Sequence, residues 1–175
     1  MRGSLGSDKH NKVKAMDREK KLAKRLGGYA QPGSGSGDQK GDIITDVYLI
    51  DDKFTGKNSY TISTKTLDKL TREANSHDKK PILLIKFTCR VPPFVDNEWC
   101  LIRQDDFKGE TFDSVDVLTK TTILPIKALS SLKKSSSKRD YDPIRIMSFY
   151  KCSLGVSRNW VLCPLTYLED QGYFQ

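Results

Sequence analysis

The sequence predicts an α/β fold built on one mixed central β-sheet flanked by helices, with a β-rich C-terminal extension. Three observations lead there. A basic segment with apolar residues at helical spacing is followed by a Gly/Ser-rich connector. Two short apolar runs then lie close together, with acids at their ends. A third, continuous apolar run, Pro81–Phe87, follows an amphipathic helix. Helix, strand, strand, helix and strand in that order make a mixed sheet covered on both sides.

From Val13 to Leu26, the residues Val13, Met16, Leu22, Ala23 and Leu26 form an apolar stripe among lysines and arginines, and Gly27-Gly28 supplies the stop. Tyr29 to Gly37 is a turn-rich connector. Gly41-Asp42-Ile43-Ile44 leads into a first strand. Val47-Tyr48-Leu49-Ile50 is β-branched and aromatic enough for a buried second strand, with Asp51-Asp52-Lys53 at its end and the strand pair spanning 41–55. Gly56-Lys57-Asn58 is a turn, and Ser59–Ser63 is extended. A helix over Thr64–Asn75 carries Leu67, Leu70 and Ala74 on one face. The uninterrupted run Pro81–Phe87 suits a strand buried on both faces.

Farther on, Ile85–Cys89 with Asn97–Ile102, and Ile146–Cys152 with Asn159–Pro164, read as two hairpins. Trp99 and Trp160 anchor their second strands in the core. The Ser- and Lys-rich stretch 130–139 divides them. The expected organisation is a disordered basic tail over 1–12, a core over 13–127, and over 128–175 a basic linker with a β extension able to add strands to the same sheet.

Composition narrows the function. The 175 residues suit one domain with a small appendage, and 37% hydrophobic content fits a compact core. The net charge is +8, and residues 1–28 alone hold nine Lys/Arg against three acids, which favours a nucleic-acid partner over an acidic protein or neutral metabolite. No apolar stretch reaches the roughly 18–20 residues that span a bilayer, and the basic N-terminus has no apolar segment of a secretory signal behind it. A cytoplasmic protein of a microbe or phage-infected cell, with no membrane partner and no small-molecule cofactor, is the expectation. Cys89, Cys100, Cys152 and Cys163 lie in strand-like settings without a Cys-x-x-Cys pair, so buried reduced thiols are expected rather than a zinc site. His10 and His77 lie in polar stretches and carry no expected catalytic role.

The chemistry concentrates around Asp42, Asp51 and Lys53. Phosphodiester hydrolysis needs a nucleophilic water and neutralisation of the leaving oxygen, and a divalent cation supplies both. Magnesium takes oxygen ligands, commonly one or two carboxylates with substrate phosphate. If the two strands pair, Asp42 and Asp51 converge, and the main-chain carbonyl of Asp52 is an additional donor. Lys53, two residues beyond Asp51, shares its side of the strand. Its ammonium can orient the attacking water or stabilise the pentavalent phosphorus.

Glu19 on the basic helix, the loop Pro32-Gly33-Ser34-Gly35-Ser36, Gly41-Asp42 and Asp51-Asp52-Lys53 together resemble the PD-(D/E)xK nuclease superfamily. Within it, the likeness is to archaeal-type and phage Holliday junction resolvases, over about residues 15–90. The resemblance implies a restriction-endonuclease-like core, with Glu19, Asp42 and Asp51 as metal ligands and Lys53 as the catalytic lysine. It also implies Ser34 or Ser36 against the scissile phosphate, magnesium (with manganese as substitute) as cofactor, and a homodimer acting on branched DNA in recombination and repair. Gln31 follows Gly28-Tyr29-Ala30 where phage relatives place an arginine after the glycines. Lys14, Lys20, Lys21, Lys24 and Arg25 on the helix, with Lys57, Ser59 and Tyr60 after the active-site strand, are the remaining expected DNA contacts. The alternatives are cleavage of linear, nicked or damaged DNA, and a non-catalytic DNA-binding or regulatory module of the same fold.

Overall fold

A computed structural model describes residues 16–31, 43–89, 97–108, 115–118, 121–125, 145–149 and 159–175. It is an α/β protein. Helix α1 (16–25) is followed by β1 (Tyr29–Ala30), β2 (Ile43–Ile44), β3 (Tyr48–Thr55), β4 (Ser59–Ser63), α2 (Thr64–Ser76), β5 (Lys80–Phe87) and β6 (Glu98–Arg103). A short 3-10 turn (Gln104–Asp106), β7 (Val115–Leu118), β8 (Thr121–Pro125), β9 (Arg145–Phe149), β10 (Asn159–Pro164) and α3 (Leu165–Asp170) complete it.

The main sheet has eight strands in the order β1-β2-β3-β5-β6-β10-β9-β7. It is mixed: β3 pairs parallel with β5 and β7 with β9, while the other neighbours are antiparallel. Helix α2 makes the β3-to-β5 crossover that a parallel pair requires. Its start is fixed by Ser63, whose hydroxyl accepts from the Thr66 amide at 3.2 Å. Leu67, Leu70 and Ala74 are all buried, as their spacing predicts.

The sheet separates two cores. One face packs Leu49, Leu83, Ile85, Trp99, Leu101 and Trp160 beneath α2. The other packs Ile50, Ile82, Leu84, Cys100, Ile102 and Val161 against Leu22, Ala23 and Leu26 of α1 and Leu165 and Leu168 of α3. Consecutive residues of β5 alternate between the two cores, so this strand is buried on both faces. Trp99 and Trp160 are core residues, and Cys100 and Cys163 are buried free thiols, opposite each other across β6 and β10. Burial drives the Cys100 and Cys163 thiols well up, which keeps them protonated and unreactive.

β3 runs through Asp51-Asp52-Lys53 to Thr55, where the strand pair expected over 41–55 ends, and β5 pairs with it over the full eight residues. Other elements differ from the sequence pattern. β4 leaves the main sheet and pairs with β8 in a separate two-stranded ribbon. Tyr29–Ala30, within the expected connector, forms the edge strand β1. Gly28 precedes it and runs so close to β2 that an added Cβ would lie 2.3 Å from the Ile44 carbonyl oxygen. The hairpins β5–β6 and β9–β10 form, and residues 159–164 sit between β6 and β9, inside the same sheet. Residues 1–12 lie outside the described residues.

Candidate active site

β3 carries charge on both faces. Strand alternation puts Asp51 and Lys53 on the side of Leu49, toward α2, and Asp52 and Phe54 on the side of Ile50, toward α1. Lys53 and Asp51 form an ion pair, with side-chain exposures of 37% and 19%. Tyr60, on the ribbon, is half-buried against the same core and lies within the electrostatic reach of both. Burial raises the Tyr60 phenol, Lys53 opposes the rise and Asp51 adds to it, so the hydroxyl is a neutral donor at ordinary pH.

β2 pairs antiparallel with β3 through Ile43–Ile50 and Ile44–Leu49, just ahead of Asp51. Glu19 is half-buried on α1, at helical spacing from Leu22, Ala23 and Leu26, and so on the side of the helix that meets the sheet. α1 packs on the face opposite Asp51.

The structure thus brings Asp51 and Lys53 together, with Tyr60 near them. Asp42, Ser34 and Ser36 lie outside the described residues. Among the described residues no three His, Cys, Asp or Glu side chains stand close enough together to hold a metal ion. Asp52 turns its carboxylate away from the pair, to Arg18 at 3.2 Å, which leaves its main-chain carbonyl as the donor expected of it. Gln31 is buried, Ser59 is half-buried, and Lys20, Lys24 and Lys57 are exposed. Arg25, expected among the phosphate contacts, is committed within the protein instead. Its guanidinium grips Glu169 of α3 at 2.6 and 2.7 Å and Glu98 of β6 at 2.7 Å. Planar guanidinium groups favour such forked pairing.

Glu98 also accepts from Lys86 at 2.5 Å. Burial pushes the Glu98 carboxyl up, but hydrogen bonds from Lys86 and Arg25 outweigh it and hold the pKa below its ordinary 4.5. A carboxylate depressed in the folded state contributes stability that is complete above its unfolded value and lost as pH falls through the folded one. Glu98→Gln is therefore expected to lower the melting temperature at pH 7 and to weaken its fall below about pH 4.5. A melting-temperature series from pH 7 to pH 3 checks this, and an acid dependence as steep as the parent's contradicts it.

A cleft of about 480 Å³ opens between α1 and the sheet, bordered by Arg18, Lys21, Arg25, Asp52, Lys86 and Glu98. Sequence reasoning missed the Arg18–Asp52 contact that borders it. No local pattern links residues so far apart in the chain, although the alternation of β3 does put Asp52 on the face opposite Asp51. No helix among the described residues is long and apolar enough to cross a membrane. No protein-family model matches the chain, and no curated protein matches it.

Proposed function

We propose that the chain is a magnesium-dependent DNA endonuclease with a restriction-endonuclease-like core of PD-(D/E)xK type, acting on branched DNA as a homodimer. The observation that carries this reading is the Asp51–Lys53 pair on one face of β3, next to the strand β2. The order α1-β1-β2-β3 with the α2 crossover into a parallel β5 is in keeping with it.

The donors available there are oxygens, which suit a hard divalent cation rather than zinc. Asp51, with its carboxylate partly open to solvent, would hold the ion together with the Asp52 carbonyl and Asp42; Glu19, the further ligand the resemblance implies, stands on α1, which packs on the other face of the sheet. When bound, the ion supplies Lewis-acid charge at the phosphate and a more acidic water. Lys53 holds its ammonium beside Asp51, where it balances the charge that builds on the non-bridging oxygens during in-line attack. Tyr60 offers a hydroxyl proton to the same phosphate. The exposed Lys20, Lys21 and Lys24 of α1, with Lys57, would contact backbone phosphates and give affinity that depends on salt more than on sequence.

The test is incubation with end-labelled four-way, flap and linear duplex DNAs in magnesium, in manganese and in chelator. The expected result is cleavage of the four-way substrate that the chelator abolishes. Faster cutting of linear DNA would replace the substrate and keep the chemistry. Binding to all substrates without product in either metal would favour a non-catalytic DNA-binding module.

A further inference from the structure

We infer that the outer face of α2 is a phosphate-binding surface: Lys65, Lys69 and Arg72 grip the nucleic-acid backbone on the Asp51–Lys53 side of the sheet. The inference rests on the nuclease reading for what is held there, and it names a surface that reading does not use.

The sheet decides which cations share a side with the pair. In the parallel register of β3 and β5, Asp51 stands opposite Leu83 and Lys53 opposite Ile85. Leu83 and Ile85 pack with Leu67, Leu70 and Ala74, so α2 covers the layer from which the pair projects. α1 packs on the other layer, and its Lys20, Lys21 and Lys24 meet a different stretch of any substrate held at the pair. α2 ends beside the start of β3, where the Lys80 amide donates to the Val47 carbonyl at 2.9 Å. Its beginning, with Lys65, therefore lies toward the Lys53 end of that strand. β4 leads directly into α2, and its Tyr60 is within electrostatic reach of Asp51 and Lys53.

The stripe has the form that a polyanion needs. Lys65, Lys69 and Arg72 follow one another at spacings of four and three, along one face of the helix, and all three are exposed. Asp68 is buried and Glu73 half-buried, so every exposed charge on α2 is positive. Elsewhere in the fold Arg18, Arg25, Lys80, Lys86 and Arg103 are each paired with a carboxylate. Lys65 and Arg72 form no ion pair among the described residues, and Lys69 is 62% exposed with Glu73 3.8 Å away. Seven residues of helix rise about 10 Å, roughly three phosphate steps along one strand of a duplex. Three long cations at that pitch suit a run of phosphates better than a single anion.

Duplex DNA without added metal is the probe, with binding read by fluorescence anisotropy over a range of salt concentrations. Replacing Lys65, Lys69 and Arg72 together by glutamine is expected to make the slope of log affinity against log salt shallower by about 2–3. Lys65→Gln, Lys69→Gln and Arg72→Gln singly should each change it by about 1. Glutamine is a good helix former, and thermal melts check folding. If the triple variant does not fold, the single variants carry the test. Lys80→Gln removes a cation already bound to Asp106 and should keep the parent's slope, which separates a local surface from net charge. Slopes in the single α2 variants equal to that of Lys80→Gln would overturn the surface, while cleavage by the parent would keep the nuclease reading standing. A parent that binds duplex through α2 yet cleaves nothing in magnesium or manganese would sink the nuclease reading and leave the surface. A parent that binds no duplex even at low salt would overturn the surface outright.

Discussion

Lys53→Ala is expected to lower the rate of magnesium-dependent DNA cleavage by about 100- to 1,000-fold, the range seen when one preorganised donor to a developing oxyanion is removed. The ammonium stands next to Asp51 and is more than a third exposed, so its loss removes charge at the reacting phosphate without opening a core cavity. Stability should change little, because a partly exposed ion pair contributes about 0–1 kcal/mol. DNA affinity should also hold, since the exposed cations of α1 and Lys57 remain. Single-turnover cleavage, a thermal melt and DNA binding by fluorescence anisotropy separate these effects. A variant that cuts as fast as the parent would remove Lys53 from the chemistry. A variant that melts far below the parent would give the residue a structural role instead.

Trp160→Ala is expected to destabilise the protein by roughly 3–5 kcal/mol, the cost of deleting a large buried aromatic. Trp160 is fully buried in the core beneath α2, and it lies on β10 between β6 and β9. Among the described residues its indole N–H meets no acceptor. Trp160→Phe gives up no hydrogen bond to a described residue and should cost much less. Urea unfolding of both variants measures the difference. If β10 were an independent appendage, Trp160→Ala would leave the main transition in place; as a central strand it should shift the single cooperative transition of the whole domain.

Much of the architecture was legible in the sequence because its signals are local. The helix over 64–76 announces itself through Leu67, Leu70 and Ala74, and β5 through an unbroken apolar run. The tryptophans mark the starts of β6 and β10. The end of β3 at Thr55 was legible from the turn Gly56-Lys57-Asn58, although Asp51-Asp52-Lys53 has no strand propensity of its own. Its parallel partner was not, because β5 reaches it through a crossover of more than twenty residues. The ribbon of β4 and β8 was hidden for the same reason: its strands are far apart in sequence. α3 is too short for a helical stripe to declare itself.

The candidate site divides along similar lines. The i, i+2 spacing of Asp51 and Lys53 fixes their common side in any strand, and the structure has them paired. The same alternation sends Asp52 to the other face, but its partner Arg18 cannot be read from spacing, because it arrives on a helix packed by tertiary contacts. Arg25 shows the converse. In the sequence it is one more cation on a basic helix, and only the approach of β6 and α3 reveals that Glu98 and Glu169 occupy it.

The proposed phosphodiester cleavage at the Asp51–Lys53 face of β3 is tested most directly by Asp51→Asn, which preserves shape and removes the charge. Labelled four-way DNA is incubated with parent and variant across a magnesium titration, with folding of both checked by thermal melt. The account predicts product from the parent, abolished by chelator, and no product from a folded Asp51→Asn protein at any magnesium concentration. Equal cleavage by the two proteins would contradict it.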